Sequence, residues 1–477
     1  MARLPPAFSR LRVLVLAAFL PLLGSCSDSD EGCPRDGQSG FEVRAPFDAR
    51  ARVRRVDCGF RSGVTGLDLA ADGSAWIRRV EYKDRGDDTF FSPPDKLLTH
   101  IGPGGEFLGE LTTPDFVQDF VVHPSGELTV FGWDAQADPK VLQVRRLRPD
   151  GLLLSERLLQ NDVPPEERLN FNVSASGRVA RVEVPDAERG FGVLAARAHA
   201  EEVYMLVGMD GLRLIRLDST LERRWVSVVK PTYAIQAATQ SEMRALGAPL
   251  VGWALDVDAE GRAVVATSFM RFERSAYAEA FQRTPQGPEG RGLLLARFAP
   301  TGEDLGARTV PAQTVDVITG LVAQGDTFAL GARTSTPIQQ KDDPFDNDLF
   351  FASGRWDRSA EELVARTIAL DRDEEPSAWV ACGAARYCFV GHTGYLTLES
   401  GRTGDFGQGF VLAVDAQGTQ QDLVLLQGER DTEVLDAVAG PGGSMVFVFA
   451  TNQPANIARV ANPLKNNEVW LGVLDGP

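Results

Sequence analysis

The sequence predicts an all-β fold, a β-propeller of seven four-stranded blades within a range of six to eight, closed by an N-terminal strand. Three observations predict it. The chain beyond residue 50 is rich in Gly and β-branched residues, and long helical periodicity is scarce. Two strand-turn phrases recur along it. A strand-like segment at its start can complete the last repeat, which lacks a strand of its own.

Residues 1–25 divide as an export signal does. Arg3, Arg10 and Arg12 make a basic start, and Val13 to Leu23 is apolar except for Pro21. That run falls short of the ~20 residues that a membrane-spanning helix needs. No second candidate span follows it, so no transmembrane helix is expected after cleavage. The run ends in Leu23-Gly24-Ser25-Cys26, which resembles the lipobox of bacterial lipoproteins. The resemblance implies cleavage before Cys26, a diacylglycerol on its thiol and an acyl chain such as palmitate on its amine. Several buried acyl chains, at ~0.8 kcal/mol per CH₂, make such an anchor effectively permanent. By the same resemblance, Ser27 rather than Asp after the cysteine favours the outer membrane of the cell envelope, facing the periplasm or the surface.

Residues 26–50 are expected to be a flexible tether, since 27–40 are polar and Gly-rich. The formal charge of −17 becomes about −20 once three arginines leave with the signal. Such acidity argues against nucleic acid or anionic lipid as a partner. Cys33, Cys58, Cys382 and Cys388 remain besides Cys26, an even number that points to disulfides in an oxidising compartment. Cys382 and Cys388 flank a short segment and are placed to staple a hairpin, leaving Cys33 to pair with Cys58.

Residues 51–477 are read as one domain. The first phrase has apolar residues six and four places before a turn glycine. It runs Leu67 to Gly73, Phe120 to Gly126, Phe171 to Gly177 and Leu255 to Gly261, and more loosely around Gly325 and Gly443. The second phrase is a strand whose last apolar residue lies four places before a turn position. It occurs seven times, beginning at Ile101, Leu147, Leu217, Phe298, Trp356, Val414 and Val473. Two such hairpins make a four-stranded antiparallel sheet, and repeats of roughly 60 residues of this kind build a propeller. The seventh repeat turns toward a fourth strand at Pro477, and Ala51 to Cys58 is expected to supply that strand. Phe171 to Asp186 is the candidate for an eighth blade. Ala-rich stretches at 231–247 and 271–292 are expected to form short helices on the rim. The phrases GLLLARFAPTGEDLGARTV and GFVLAVDAQGTQQDLVLL also resemble bacterial propeller repeats written F-V-A-K-L-D-P-x-G, which supports the fold.

Chemistry is sparsely signalled. His100, His123, His199 and His392 are scattered, with no H-E-x-x-H, and there is no G-x-S-x-G elbow. His123 reads as a surface turn residue, and His100 and His392 as hydrogen-bonded structural histidines. Gly102 to Gly109 reads as a hairpin turn rather than a phosphate loop. The one candidate metal site is a loop with Asp342, Asp343, Asp346, Asn347 and Asp348, whose hard oxygens suit Ca²⁺ but not in EF-hand spacing. Lys83 to Asp88 is a weaker version of it. No other cofactor is implied.

The expectation for function is a membrane-anchored, non-catalytic binding or scaffold module that meets a protein or glycan through its faces and loops. One alternative is an envelope glycan hydrolase or lyase with carboxylates and aromatic walls in the central channel. The other is a structural component of an envelope assembly.

Overall fold

The computed structural model describes residues 40–44, 47–56, 62–81, 95–113, 117–133, 142–159, 171–173, 179–181, 192–208, 212–229, 253–271, 290–312, 315–337, 345–370, 374–393, 407–426, 432–452 and 467–476. These residues are almost entirely strand, with short 3₁₀ turns at Ala360–Glu362 and Pro441–Gly443. They form seven sheets of the propeller type, six of four strands and one of five.

The blades begin with Ser62–Leu69, Val117–Val122, Gly192–His199, Trp253–Val257, Val315–Gln324, Glu374–Gly383 and Thr432–Ala439. These first strands touch one another in chain order, and the seventh touches the first, so they form a closed ring around an axis. The later strands of each blade step outward from it.

Packing between the blades holds the ring together. The buried apolar side chains separate into seven clusters, one at each junction. Trp76, Leu98, Phe120 and Val130 join blades one and two, and Val390, Val411, Phe447 and Phe449 join blades six and seven. Period-two alternation on each strand supplies one apolar row to each neighbour, and both faces of a blade are therefore covered.

All seven occurrences of the second phrase fall where a third strand turns back. The predicted closure is also present. Ala51–Arg55 pairs antiparallel with Asn467–Leu474, from Ala51 opposite Leu474 to Arg55 opposite Trp470. Val56 extends it, donating its N–H to the Val469 carbonyl at 2.8 Å, and Cys58 lies outside the described residues. Glu42–Val43, which the sequence places in the tether, adds a fifth strand by pairing with Val53 and Arg52. Phe41 N–H further donates to the Gly104 carbonyl of blade one at 3.2 Å. Residues 41–43, which the sequence assigns to the tether, are thus bonded to the body.

Phe171 to Asp186 is not an eighth blade: Phe171–Val173 and Val179–Arg181 form a separate two-stranded sheet. Four residues of the stretches expected on rim helices are strand instead, since Arg271 ends Ala263–Arg271 and Gly290, Arg291 and Gly292 open Gly290–Phe298. The rest of 271–292 and all of 231–247 lie outside the described residues.

The two ends of the ring differ. First-to-second-strand connections span two to five residues, and all of them lie on one face together with the third-to-fourth turns. The connections of 13 residues or more (82–94, 160–191, 229–252, 272–289, 394–407 and 453–466) join strand ends on the opposite face. On the short-turn face an Asp commonly opens the turn. Asp218, Asp258 and Asp415 each accept backbone N–H groups two and four residues on, at 2.8–3.1 Å.

The central channel as candidate functional site

The ring leaves a channel along its axis, with a cavity of about 790 Å³ lined by first-strand residues near the short-turn face. Four carboxylates and one guanidinium belong to it: Asp68, Asp119, Asp256, Asp436 and Arg197. Each carboxylate is placed by its strand. A first strand sends one row of side chains into a blade junction and the other toward the axis, so Leu67 and Leu255 are buried while Asp68 and Asp256 face the channel. In blades two and seven a β-bulge sits at the aspartate itself, between Val117 and Asp119 and between Val434 and Asp436.

Three of the four carboxylates reach across a junction to the next first strand. Asp68 accepts the Val122 N–H at 2.7 Å, Asp256 the Ala323 N–H at 2.7 Å, and Asp436 the Leu67 N–H at 2.9 Å. Asp68 and Asp436 also accept the N–H of the residue that follows them, and Asp119 accepts that of Phe120 at 2.8 Å. The bonds satisfy inner-strand amides that have no ladder partner on the axial side.

Burial is the largest influence on all four groups and disfavours their charge. It pushes Asp68 up to about 6 and Asp436 up to about 7, and it raises Asp119 and Asp256 against the opposing effect of their backbone bonds. Arg197 is the cation that acts on every one of them. Its Nε lies 3.9 Å from Asp256, and its side chain is 52% exposed in the channel.

Among the described residues two aromatics line this cavity, and they do not form a wall. Phe120 and Trp379 are 5% and 3% exposed. Both rings turn into blade junctions, where Trp379 packs on Tyr387 and Phe389. Backbone, small side chains and the five charged groups are what the channel presents.

The residues singled out in the sequence do not gather here. Cys26, Cys33, Cys58, Asp342, Asp343 and Lys83 to Asp88 lie outside the described residues. Phe345–Arg355 is a strand that takes in Asp346 and Asp348, which the sequence assigned to a loop. Asn347 between them is buried and donates to Glu375 at 3.0 Å. Among the described residues no three His, Cys, Asp or Glu are grouped to hold a metal ion. Cys382 and Cys388 sit on paired strands with Cα atoms 5.8 Å apart and sulfurs at bonding distance, a pair fit for a disulfide.

The histidines have structural partners. His123 is a turn residue but not a surface one: it is buried, with Nε2 2.7 Å from Thr129 Oγ1 and Nδ1 3.3 Å from the Ala200 carbonyl of blade three. His100 stacks on Trp76 and bonds Ser74, His199 meets the edge of Tyr204, and His392 lies 3.6 Å from Glu433. The turn from Gly102 leads into the strand Phe107–Thr112 and not into a helix.

The aspartates were missed as a group because they are four among 66 acidic residues. Their signal was present in Leu67-Asp68-Leu69 and Leu255-Asp256-Val257, where a carboxylate interrupts an apolar strand just before its turn.

The fold and its axial channel define a seven-bladed β-propeller. No protein family matches the chain, and no curated protein does. Solved structures resemble it in shape. The polysaccharide lyase Uly1 is similar over 94% of both chains, at 9% identity and a TM-score of 0.44. A protein of unknown function from Dyadobacter fermentans matches 89% of this chain and 99% of its own, at 13% identity and a TM-score of 0.41. The Dos1 propeller matches 87% and 78%, at 9% identity and a TM-score of 0.40. At such identities the likeness concerns the path of the chain and says nothing of chemistry.

Proposed function

We propose that the chain is an exported lipoprotein, anchored through Cys26 to the outer membrane, whose propeller is a non-catalytic binding module. The observation that supports a module over an enzyme is the use made of the channel carboxylates. Asp68, Asp256 and Asp436 accept backbone N–H groups of a neighbouring blade, and their lone pairs hold the ring. The channel aromatics, turned into the blade junctions, offer a sugar ring no platform. Four carboxylates around one guanidinium favour a cationic group of a partner, such as a basic side chain presented to the short-turn face.

One observation favours the glycan-cleaving alternative: Asp436, pushed up to about 7, can hold or release a proton at neutral pH. The two readings separate in a single comparison. Lipidated protein, cross-linked in envelope preparations, is expected to retain a protein partner, and Asp436→Asn, which removes one of the four carboxylates, to retain it more weakly. Cleavage of envelope polysaccharide by the wild type, lost in Asp436→Asn, would overturn the module. The anchor is read by mass spectrometry. Acyl chains on Cys26 are expected, and Cys26→Ser is expected to leave the membrane fraction or to stay uncleaved.

A further inference from the structure

We propose that the outer edge of blade two, with Leu108 of blade one next to it, is a lipid-contact edge that lays the propeller side-on against its membrane. This rests on the anchor at Cys26. Outer strands of soluble sheets are normally blunted by charge, because a free edge invites association. Blade three follows that rule, opening its outer strand with Arg223 and Arg224. Blade two departs from it. Among the described residues its outer strand Leu153–Leu159 pairs on one side only, and its charges are limited to Glu156 and Arg157, ion-paired to Arg145 and Glu222. Leu152, Leu153, Leu154 and Leu158 are 53%, 48%, 44% and 54% exposed.

A recurring bulge creates part of this display. In blades one, two and four the pairing register slips just after the third-to-fourth turn, at Leu108, Leu154 and Leu305. The side chain at the slip leaves the ladder and points outward. Of the nine large apolar residues exposed among those described, Val43, Leu108 and the four leucines of blade two lie on three consecutive blades, seven, one and two. Blades one and two are in contact there, since a Cβ on Gly151 would come within 3.0 Å of Leu111.

The occupant follows from where the anchored chain arrives. Phe41 bonds to Gly104, and Glu42–Val43 is fixed to the closing strand, so the tether reaches the body at the junction of blades seven and one. Between Cys26 and Gly40 there are 13 residues. Fully extended they span less than about 50 Å. A short tether holds the leucine edge at high effective concentration near the bilayer, where weak apolar contact becomes persistent. Lipid is therefore the partner argued for, ahead of a second copy. Because these residues lie on the circumference, side-on docking covers neither face of the ring.

The test uses the lipidated full chain in vesicles of zwitterionic phosphatidylethanolamine and phosphatidylcholine, because the net negative charge of the chain opposes an anionic surface. Hydrogen exchange is expected to slow over 152–159 on vesicles relative to detergent, and to stay unchanged over 304–311 in blade four. Leu154→Glu with Leu158→Glu, both at exposed positions, is expected to remove that protection. In protein released from its anchor, the same pair is expected to lower vesicle partition at least about tenfold. Unchanged exchange over 152–159 overturns the proposal without needing any variant. So does a dimer that forms in solution and is broken by the double substitution, since a second copy would then own the edge. Failure of the anchor is read separately: Cys26 without acyl chains refutes the lipoprotein and leaves the partition of the body still measurable.

Discussion

Asp436 illustrates the cost of placing a carboxylate on the axis. Its two oxygens accept the N–H groups of Ala437 at 2.8 Å and Leu67 at 2.9 Å, yet burial still pushes it up to about 7. In the unfolded chain it titrates near pH ~4. Between those values the folded state holds the proton that the unfolded state has lost, so stability falls as pH rises, and above about 7 the penalty is constant. Asp68, up to about 6, and the raised Asp119 and Asp256 act in the same direction. Asp436→Asn removes one titration and forfeits one acceptor. The forfeited bond shifts stability equally at every pH, whereas the lost titration does not. Thermal melts should therefore show the variant gaining on the wild type from about pH 5 to about pH 8, by on the order of 2 kcal/mol. A difference independent of pH would mean that Asp436 ionises freely. At this scale little of the site was legible, because a single aspartate in a strand reads as the solvent side of an alternating pattern. Only the closed ring turns that side into an interior.

The repeating element carries a clamp that the phrases did not reveal. The residue before the last apolar position of the third strand is Arg146 in blade two, Arg216 in blade three and Arg297 in blade four. Each donates to a carbonyl of the following blade: Arg146 to Glu201 at 2.7 Å, Arg216 to Pro300, and Arg297 to Gly325 at 2.9 Å. Planar guanidinium donors suit this task, since one head serves a carbonyl across the junction and a carboxylate beside it. Arg146 is the most enclosed, 3% exposed, and holds Glu127 and Glu201 as well. Arg146→Ala strands those acceptors, and urea unfolding is expected to lose about 3 kcal/mol. Arg146→Lys should recover part of the loss, as a point charge meets fewer partners. The second phrase was legible in every blade because its spacing is kept. The first was misread in blade three and missed in blade six for a conformational reason. There the tight turn puts Ala200 and Ala385 at φ values of 51° and 52°, where glycine is usual. A search for turn glycines passes over both and settles on Gly177 instead.

For the whole molecule, closure is the decisive feature, and it was readable because strand count is a conservation rule for a ring. Blade seven takes its first three strands from the C-terminal end of the sequence and its fourth from Ala51–Arg55. Ala51 and Val53 are fully buried and pack in the cluster that holds Phe447, Phe449 and Trp470. Just before that strand Phe47 packs edge-on against Phe449 and Trp470, and farther out Glu42–Val43 is a two-residue fifth strand with both side chains exposed. The ring should therefore tolerate loss of everything before Phe47 but not loss of Ala51–Arg55. A chain beginning at Phe47 is expected to stay monomeric, to keep its β-rich circular dichroism and to melt within a few degrees of the longer protein. A chain beginning at Val56 leaves the N–H and C=O groups of Asn467–Leu474 unpaired beside an exposed core, a template for association. It is expected to aggregate or to unfold at markedly lower temperature, and a peptide of residues 40–56 added in excess should raise its melting point. If both truncations melt alike, the N-terminal strand is a cover and the junctions alone hold the ring. If the shorter chain is rescued by its peptide, closure is a strand exchange that one molecule makes with itself.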